Sequence, residues 1–328
     1  MSPLLEVENL VVRYPAMGRV RAALKGAEPE FEAVADVSFG IKAGETLGLV
    51  GESGSGKSTI ARTLMGLKRA HSGSIRFDGR EISDASAQEY ARLRREIAMM
   101  WQDPVGSLSP RLTVGALVTE PLKIHGRRAD RRAECKRLLE MVGLPANFAG
   151  RFPHQLSGGQ ARRVGVARAL ALDPRLVIAD EPTAGLDMSV QAEVLNLLAE
   201  MQTRLGIAIL VITHNLNVVR HITDRMAIMY LGRFVETGPT ERIFHAPCHP
   251  YTEALLSANP EPDPDAAQAR ITLSGEMPSP RRRPEGCEFH SRCQYARPEC
   301  ARRAPGVTEH GPQHAFTCHF PICGPSAA

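Results

Sequence analysis

A chain of 328 residues, 43% hydrophobic and 23% charged, is long enough for one large domain with an appendage or for two domains, and its composition excludes disordered and fibrous classes. The formal net charge of +4 suits acidic partners or an anionic membrane surface but is too small to argue for nucleic acid. No apolar run approaches the roughly 18 residues needed to cross a bilayer, and Glu6 and Glu8 stand where a basic leader would begin, so a cytoplasmic location is expected.

Residues 4 to 14 mix Leu5, Val7, Leu10 and Val12 with polar side chains and read as a strand ending at Tyr14. That aromatic suits packing at a core edge or stacking on adenine. After a polar insert, Ala33 to Ile41 reads as a second strand and Thr46 to Val50 as a third. The third runs straight into Gly51-Glu52-Ser53-Gly54-Ser55-Gly56-Lys57-Ser58-Thr59, which fits the pattern GxxxxGK[ST]. Glycines let successive N–H groups turn toward phosphate oxygens, and a helix starting near Lys57 adds its positive dipole end. Lys57 offers a point charge to the outer phosphates and Ser58 a hydroxyl ligand for Mg²⁺, so the stretch reads as a nucleoside triphosphate site.

Ile75, Phe77 and the pair Asp78-Gly79 suggest a hairpin. Ile97 to Trp101 is another apolar run, and Gln102 at its end either reaches a metal or its water or simply opens a loop. Helical patterns follow at Val114 to His125 and Asp130 to Val142, closed by Gly143 and Pro145, as an inserted helical subdomain at about 103–170. Leu156-Ser157-Gly158-Gly159-Gln160 opens a further helix, and its start suits either an anion or an ordinary N-cap. Leu176 to Glu181 is a buried strand ending in two carboxylates. Asp180 suits Mg²⁺ held through water and Glu181 the polarisation of an attacking water, two roles that phosphoryl transfer needs side by side. Asp187 precedes a long helix from Ser189 to Leu205, and the strand Ile207 to Thr213 delivers His214 at its C-terminal end, where ligands of open α/β sheets gather. Strands at Met226 to Tyr230 and Phe234 to Glu236 flank a turn at Gly232.

Beyond residue 258 the sequence turns Pro-rich, with acidic residues from Glu261 to Asp265 and the run Arg281-Arg282-Arg283, which reads as a solvated linker or a contact for membrane phosphates. Five of the seven cysteines lie after residue 286, which in a reducing compartment argues for a metal site over disulfides. Cys287, Cys293, Cys300 and Cys318 are separated by five, six and seventeen residues. Structural zinc usually draws on ligands two to four apart, so this spacing leans away from a zinc ribbon, and four thiolates suit a [4Fe–4S] cluster, whose corners need one each. Cys323 is a spare for the fourth ligand; zinc with His290, His314 or His319, and free or disulfide-bonded cysteines, are the alternatives. Few large apolar side chains occur from 284 to 320, so order there is expected to depend on the metal.

With these residues in view, the chain resembles an ABC transporter ATP-binding subunit. The resemblance implies an α/β fold: a P-loop NTPase core with an inserted helical subdomain and an antiparallel β subdomain, spanning 1–258, and a small Cys-rich C-terminal extension at 259–328. It makes residues 51 to 58 Walker A, Tyr14 the adenine-stacking aromatic, Gln102 the Q-loop and residues 156 to 160 the signature. Asp180 becomes the Walker B aspartate, Glu181 the catalytic glutamate, Asp187 the D-loop aspartate and His214 the switch histidine. Ala184-Gly185-Leu186-Asp187 departs from the more usual Ser-Ala-Leu-Asp, and Asn215 stands where Asp often follows the histidine.

Gln102-Asp103-Pro104, His249-Pro250-Tyr251-Thr252 and Gly275-Glu276-Met277-Pro278 look like the oligopeptide/dipeptide importer group, which also includes nickel and glutathione systems and whose tails carry similar cysteine sets. The resemblance implies ATP and Mg²⁺, a second ATPase subunit, commonly a paralogue in a heterodimer, two membrane permeases and an extracytoplasmic solute-binding protein, with no nucleic acid. The subunit would sit peripherally on the cytoplasmic face of the inner membrane. Competing readings are a soluble ABC ATPase acting on ribosomes or DNA, and a metal-sensing regulatory subunit, which the intact Lys57, Glu181 and His214 disfavour.

Overall fold

The computed structural model describes residues 3–16, 30–101, 103, 106–258 and 271–324. Strands β1 (Leu5–Pro15), β2 (Glu30–Ile41) and β3 (Thr46–Val50) precede the glycine-rich loop, and helix α1 (Lys57–Leu64) follows it. β4 (Ser72–Phe77) and β5 (Arg80–Glu81) form the expected hairpin, with Asp78 and Gly79 at φ 52° and 75°, the left-handed pair that a two-residue connection favours. Next come α2 (Ala87–Leu93), β6 (Ile97–Met100), α3 (Val114–Ile124), α4 (Arg131–Met141) and α5 (Gly158–Leu170). β7 (Leu176–Asp180), α6 (Met188–Leu205), β8 (Ala208–Thr213) and α7 (Leu216–Ile222) lead to a second hairpin, β9 (Arg225–Tyr230) and β10 (Arg233–Pro239). The remaining regular elements are α8 (Thr240–His245), α9 (Pro250–Ser257), α10 (Pro298–Arg302), β11 (Thr308–Glu309) and β12 (Ala315–Phe316). None of the described helices is long and apolar enough to cross a membrane.

The chain divides into two compact units. The first comprises Met1–Leu4, Ile41–Thr46 and Ala85–Ile212. Within it β6, β7 and β8 run parallel, with Ile97 opposite Leu176 and Leu176 opposite Ala208. Every residue of β7 and β8 is buried, which is why these strands read as unbroken apolar runs and not as alternating ones. Helices α3, α4 and α5 pack on one another as the inserted helical subdomain, through Val114, Leu117, Val118 and Leu122 of α3, Leu138 and Leu139 of α4, and Val164 of α5. Asp130 starts α4 by accepting from the Arg132 and Ala133 N–H groups, so the helix begins where a polar residue meets the apolar pattern.

The second unit comprises Leu5–Gly40, Leu47–Asp84 and Thr213–Ala328. Its four-stranded sheet has the order β2-β1-β4-β5, with Leu5 opposite Phe77 and Val7 opposite Ile75. Leu5, Val7, Leu10 and Val12 are buried. In the other sheet of this unit β3 pairs in parallel with β9, and β9 in antiparallel with β10. The C-terminal extension then adds β12 to the edge of β10 and β11 to β12, with Glu236 opposite Phe316. Phe289, 2% exposed, closes a cluster with Tyr230 and Tyr251, ring centroids 4.8 to 5.4 Å apart. Burial of such a ring contributes about 1.5–3 kcal/mol, so apolar packing also supports order in the extension.

Three expectations for the tail are modified. The acidic stretch Glu261 to Asp265 lies outside the described residues, but residues 271–283 are not a solvated linker. Leu273 and Met277 pack on the cluster around Tyr251, and Arg283 donates to Glu288 and to the Glu32 carbonyl at 2.8 Å. Arg281 lies over the Phe31 ring but stays exposed, as Arg282 does, so only Arg283 of the basic run is partly buried. Cys323 is not a spare ligand: it forms a disulfide with Cys248, 75 residues away. Beside it the Ile322 N–H donates to the Cys248 carbonyl at 3.0 Å, so the tail lies next to the start of α9. His314 is engaged through one ring nitrogen, while its Nδ1 is buried with no hydrogen-bond partner. Its Nε2 meets the buried Glu236 carboxylate at 2.8 Å, and that carboxylate also accepts from the Cys248 and His249 N–H groups.

Candidate active site

The phosphate loop belongs to the second unit. Gly51, Gly54 and Gly56 take φ values of 156°, 82° and 113°. A Cβ at Gly51 would lie 2.2 Å from the Met229 carbonyl oxygen, and one at Gly56 2.4 Å from that of Ala33, so both positions exclude any side chain. Gly56 precedes α1 and no side chain caps that helix, which is the form of helix start that suits a phosphate. Lys57 is 7% exposed, and its Nζ donates to the carbonyls of Gly51 at 2.7 Å and Glu52 at 2.8 Å and to Ser55 Oγ at 3.3 Å. The ammonium is thus curled over the loop backbone, ready to exchange these oxygens for those of a phosphate.

Tyr14 stacks on Phe31 at 6.1 Å with Lys68 Nζ 4.3 Å from its ring centroid, so the aromatic is half-buried at a strand end beside a cation. His214 is exposed immediately after β8. Asn215, where Asp often stands, caps α7 by accepting from the Asn217 N–H at 3.0 Å, a task that Asn and Asp perform equally well.

In the first unit Asp180 ends β7 at 6% exposure, and Glu181 takes φ 49°. That left-handed backbone is strained for a residue with a Cβ. It is held by the Glu181 N–H donating to the Ile212 carbonyl at 2.8 Å, and by Arg162 donating to the carbonyls of Glu181 at 3.1 Å, Pro182 at 2.6 Å and Ala184. Arg162 is 3% exposed and comes from α5, the helix that the signature opens. Ser157 and Gln160 close a reciprocal capping box there, so within this chain the signature is an ordinary N-cap with Ser157 and Gly158 exposed. A Cβ on Gly159 would lie 2.7 Å from Val190 Cγ1 of α6. Asp187 caps α6, and the bonds it accepts from the Val190 N–H and the Ser189 hydroxyl draw its carboxyl below the usual range. Gly185 has φ 73°, which glycine adopts more readily than the usual alanine. Gln102 lies outside the described residues.

Cys287, Cys293, Cys300 and Cys318 are free thiols drawn together in the second unit. The Cys287 N–H donates to the Cys300 carbonyl at 2.7 Å, and each of the other three cysteines acts electrostatically on Cys318. Burial pushes Cys287 and Cys318 up to about 11 and raises Cys293. Opposing that, the backbone N–H groups of Phe289, Tyr295 and Phe320 bond to the sulfurs of Cys287, Cys293 and Cys318, in each case two residues upstream.

Sequence reasoning missed Arg162 and Arg292. Arg162 is one of three arginines in its helix, and only burial singles it out. Arg292, 7% exposed at its side chain, donates Nη1 to both carboxylate oxygens of Glu52 in the phosphate loop, at 3.0 and 3.2 Å, across 240 residues.

Residues 34–184 match the ABC transporter family, and residues 235–300 match the oligopeptide/dipeptide transporter C-terminal region. A probable peptide ABC transporter ATP-binding protein of Sinorhizobium fredii is 46% identical over 99% of this chain and 91% of its own length. The oligopeptide transport ATP-binding protein OppF of Salmonella typhimurium is 46% identical over 88% of this chain and 87% of its own. Among solved structures, a dimeric ATP-binding cassette bound to ADP and Pi superposes with a TM-score of 0.63 at 32% identity, covering 72% of this chain and 98% of that one. CbiO1 of Clostridium perfringens, part of an ABC transporter complex, gives a TM-score of 0.64 at 30% identity, covering 75% and 92%. The glycine geometry of the phosphate loop, the carboxylates closing β7 and this agreement along the chain lead to one conclusion: the chain belongs to the family of ABC transporter ATP-binding proteins and is an ATPase of that family.

Proposed function

We propose that this chain is the ATP-hydrolysing subunit of an importer for oligopeptides, dipeptides or a related solute, bound peripherally at the cytoplasmic face of the inner membrane. The observation that carries this reading is the match to the oligopeptide/dipeptide transporter C-terminal region over residues 235–300. Two membrane permeases form the path for solute, and an extracytoplasmic solute-binding protein delivers it. The second ATPase subunit is a paralogue.

The residue roles follow from the chemistry of each position. Tyr14 stacks on adenine, residues 51 to 59 cradle the phosphates, and Lys57 draws charge off the outer ones. Ser58, Gln102 and Asp180 would hold Mg²⁺, which would neutralise phosphate charge. Glu181 orients the attacking water and accepts its proton, and His214 contacts the γ-phosphate. The exposed Ser157 and Gly158, with Gly159, Gln160 and Asp187, serve the ATP held by the partner ATPase. Purified from native membranes in mild detergent, the tagged chain is expected to bring down two polytopic membrane proteins and a second ATPase. Recovery with ribosomes or DNA instead would overturn this reading in favour of a soluble ABC ATPase.

We further infer that Cys287, Cys293, Cys300 and Cys318 hold one [4Fe–4S] cluster. Support comes from the N–H groups aimed at three of the sulfurs, the kind of bond that tunes iron–sulfur centres. Each nearby histidine has one ring nitrogen taken: His290 Nδ1 meets the Cys287 carbonyl and His319 Nε2 the Arg303 carbonyl, each at 2.8 Å. Anaerobically purified protein should be brown, absorb broadly at about 400 nm and contain about four irons per chain. A colourless preparation with stoichiometric zinc would rule the cluster out.

A further inference from the structure

The carboxylate of Glu52 is an awkward group for a phosphate loop. It is the second residue of the loop, next to Gly51, and a negative charge there opposes the arrival of a polyanion. Its backbone and its side chain are both held by residues from beyond the ATPase core motifs. The Glu52 N–H donates to the Tyr251 hydroxyl at 3.1 Å, and the Glu52 carbonyl accepts from Lys57 Nζ at 2.8 Å. The carboxylate receives Arg292 Nη1 on both oxygens, at 3.0 and 3.2 Å. Arg292 is itself fixed: its guanidinium lies 5.9 Å from the Tyr230 ring centroid, and it follows Phe289 in the turn that the aromatic cluster anchors.

We propose that Arg292 is a positioning and charge-neutralising residue of the nucleotide site, supplied by the cysteine-rich extension to the phosphate loop. It cancels the Glu52 charge and turns the carboxylate away from the phosphate path. By fixing Glu52 it also fixes one of the two carbonyls against which Lys57 is aligned. Tyr251, from the start of α9, holds the same residue through its main chain. The extension therefore acts on ATP affinity as well as on its own cysteines. This rests on the reading of residues 51 to 59 as the ATP site.

The test is a double-mutant cycle read by equilibrium binding of Mg²⁺-ATP to the full-length protein. Arg292→Ala should weaken binding about tenfold, because it leaves the Glu52 carboxylate unpaired. The loss should appear in the KM for ATP, with kcat at saturating ATP within about threefold. Arg292→Lys should regain at least half of the loss in logarithmic terms. In the Arg292→Ala background, Glu52→Gln should bring the affinity back to within about threefold of the parent, because the offending charge is gone. A role confined to tying down the extension predicts no such rescue. If Arg292→Ala fails to fold, the same comparison is made between Arg292→Gln and Arg292→Gln with Glu52→Gln. Single-variant affinity within twofold of the parent, or a double variant no tighter than the single, would overturn the proposal. Lys57→Ala run alongside separates the two failures: if it also binds ATP normally, the phosphate-loop reading is at fault and not Arg292.

Discussion

Replacing Glu181 by glutamine should lower ATP turnover by at least about 100-fold, the scale on which a positioned general base contributes to proton transfer. The geometry makes this substitution unusually clean. Glu181 owes its left-handed backbone to its N–H bond with the Ile212 carbonyl and to Arg162 on the neighbouring carbonyls, and none of those contacts uses the carboxylate. An amide of the same shape should keep the fold while losing the basic oxygen that orients water. ATP affinity should therefore stay near that of the parent, and the protein should accumulate with ATP bound, together with its partner ATPase. Phosphate release at saturating Mg²⁺-ATP and size-exclusion chromatography with nucleotide measure the two halves. Turnover within a few-fold of the parent would mean that Glu181 does not activate the water.

Lys57→Ala acts at an earlier step and should weaken Mg²⁺-ATP binding by at least about 30-fold, since removing one partner of a desolvated charge pair costs roughly 2 kcal/mol or more. Nζ spans the Gly51 and Glu52 carbonyls and Ser55 Oγ, which puts its cation directly on the loop backbone. Binding to the native state alone stabilises a protein by about 2.7 kcal/mol at a hundredfold excess over Kd. The parent should thus show a clear nucleotide-induced rise in Tm that the variant lacks at the same ATP concentration. An unchanged ATP affinity would remove the phosphate-loop assignment itself. Glu181→Gln and Lys57→Ala thus fail in opposite ways, one binding without turnover and the other losing binding.

The tail shows where composition misleads. A Pro-rich and Arg-rich stretch reads as solvated, yet Arg283 is held by Glu288 and the Glu32 carbonyl, and Leu273 and Met277 pack on buried aromatics. Similarly, a cluster of cysteines reads as a metal site, and five of the seven are free thiols, but Cys248 and Cys323 are joined. The four tail cysteines singled out by their spacing are all free thiols. Spacing could not show which distant cysteine the fifth would meet.

What the sequence determined by itself are features whose cause is local. Gly51, Gly54 and Gly56 adopt φ values that other residues avoid, Asp78-Gly79 makes its turn wherever it occurs, and Ser157 with Gln160 closes a capping box within one helical turn. The buried run Leu176 to Asp180 similarly announces a parallel strand with carboxylates at its end, because a strand covered on both faces must be apolar throughout. Tertiary structure alone decided the rest. Arg162 grips carbonyls about twenty positions away, Glu236 meets His314 across 78 residues, and Arg292 reaches Glu52 across 240. None of these pairs leaves a periodic trace. A salt bridge or a buried hydrogen bond constrains where two side chains end up in space and says nothing about the residues between them, so the arginine that serves the phosphate loop looks, in sequence, like any other.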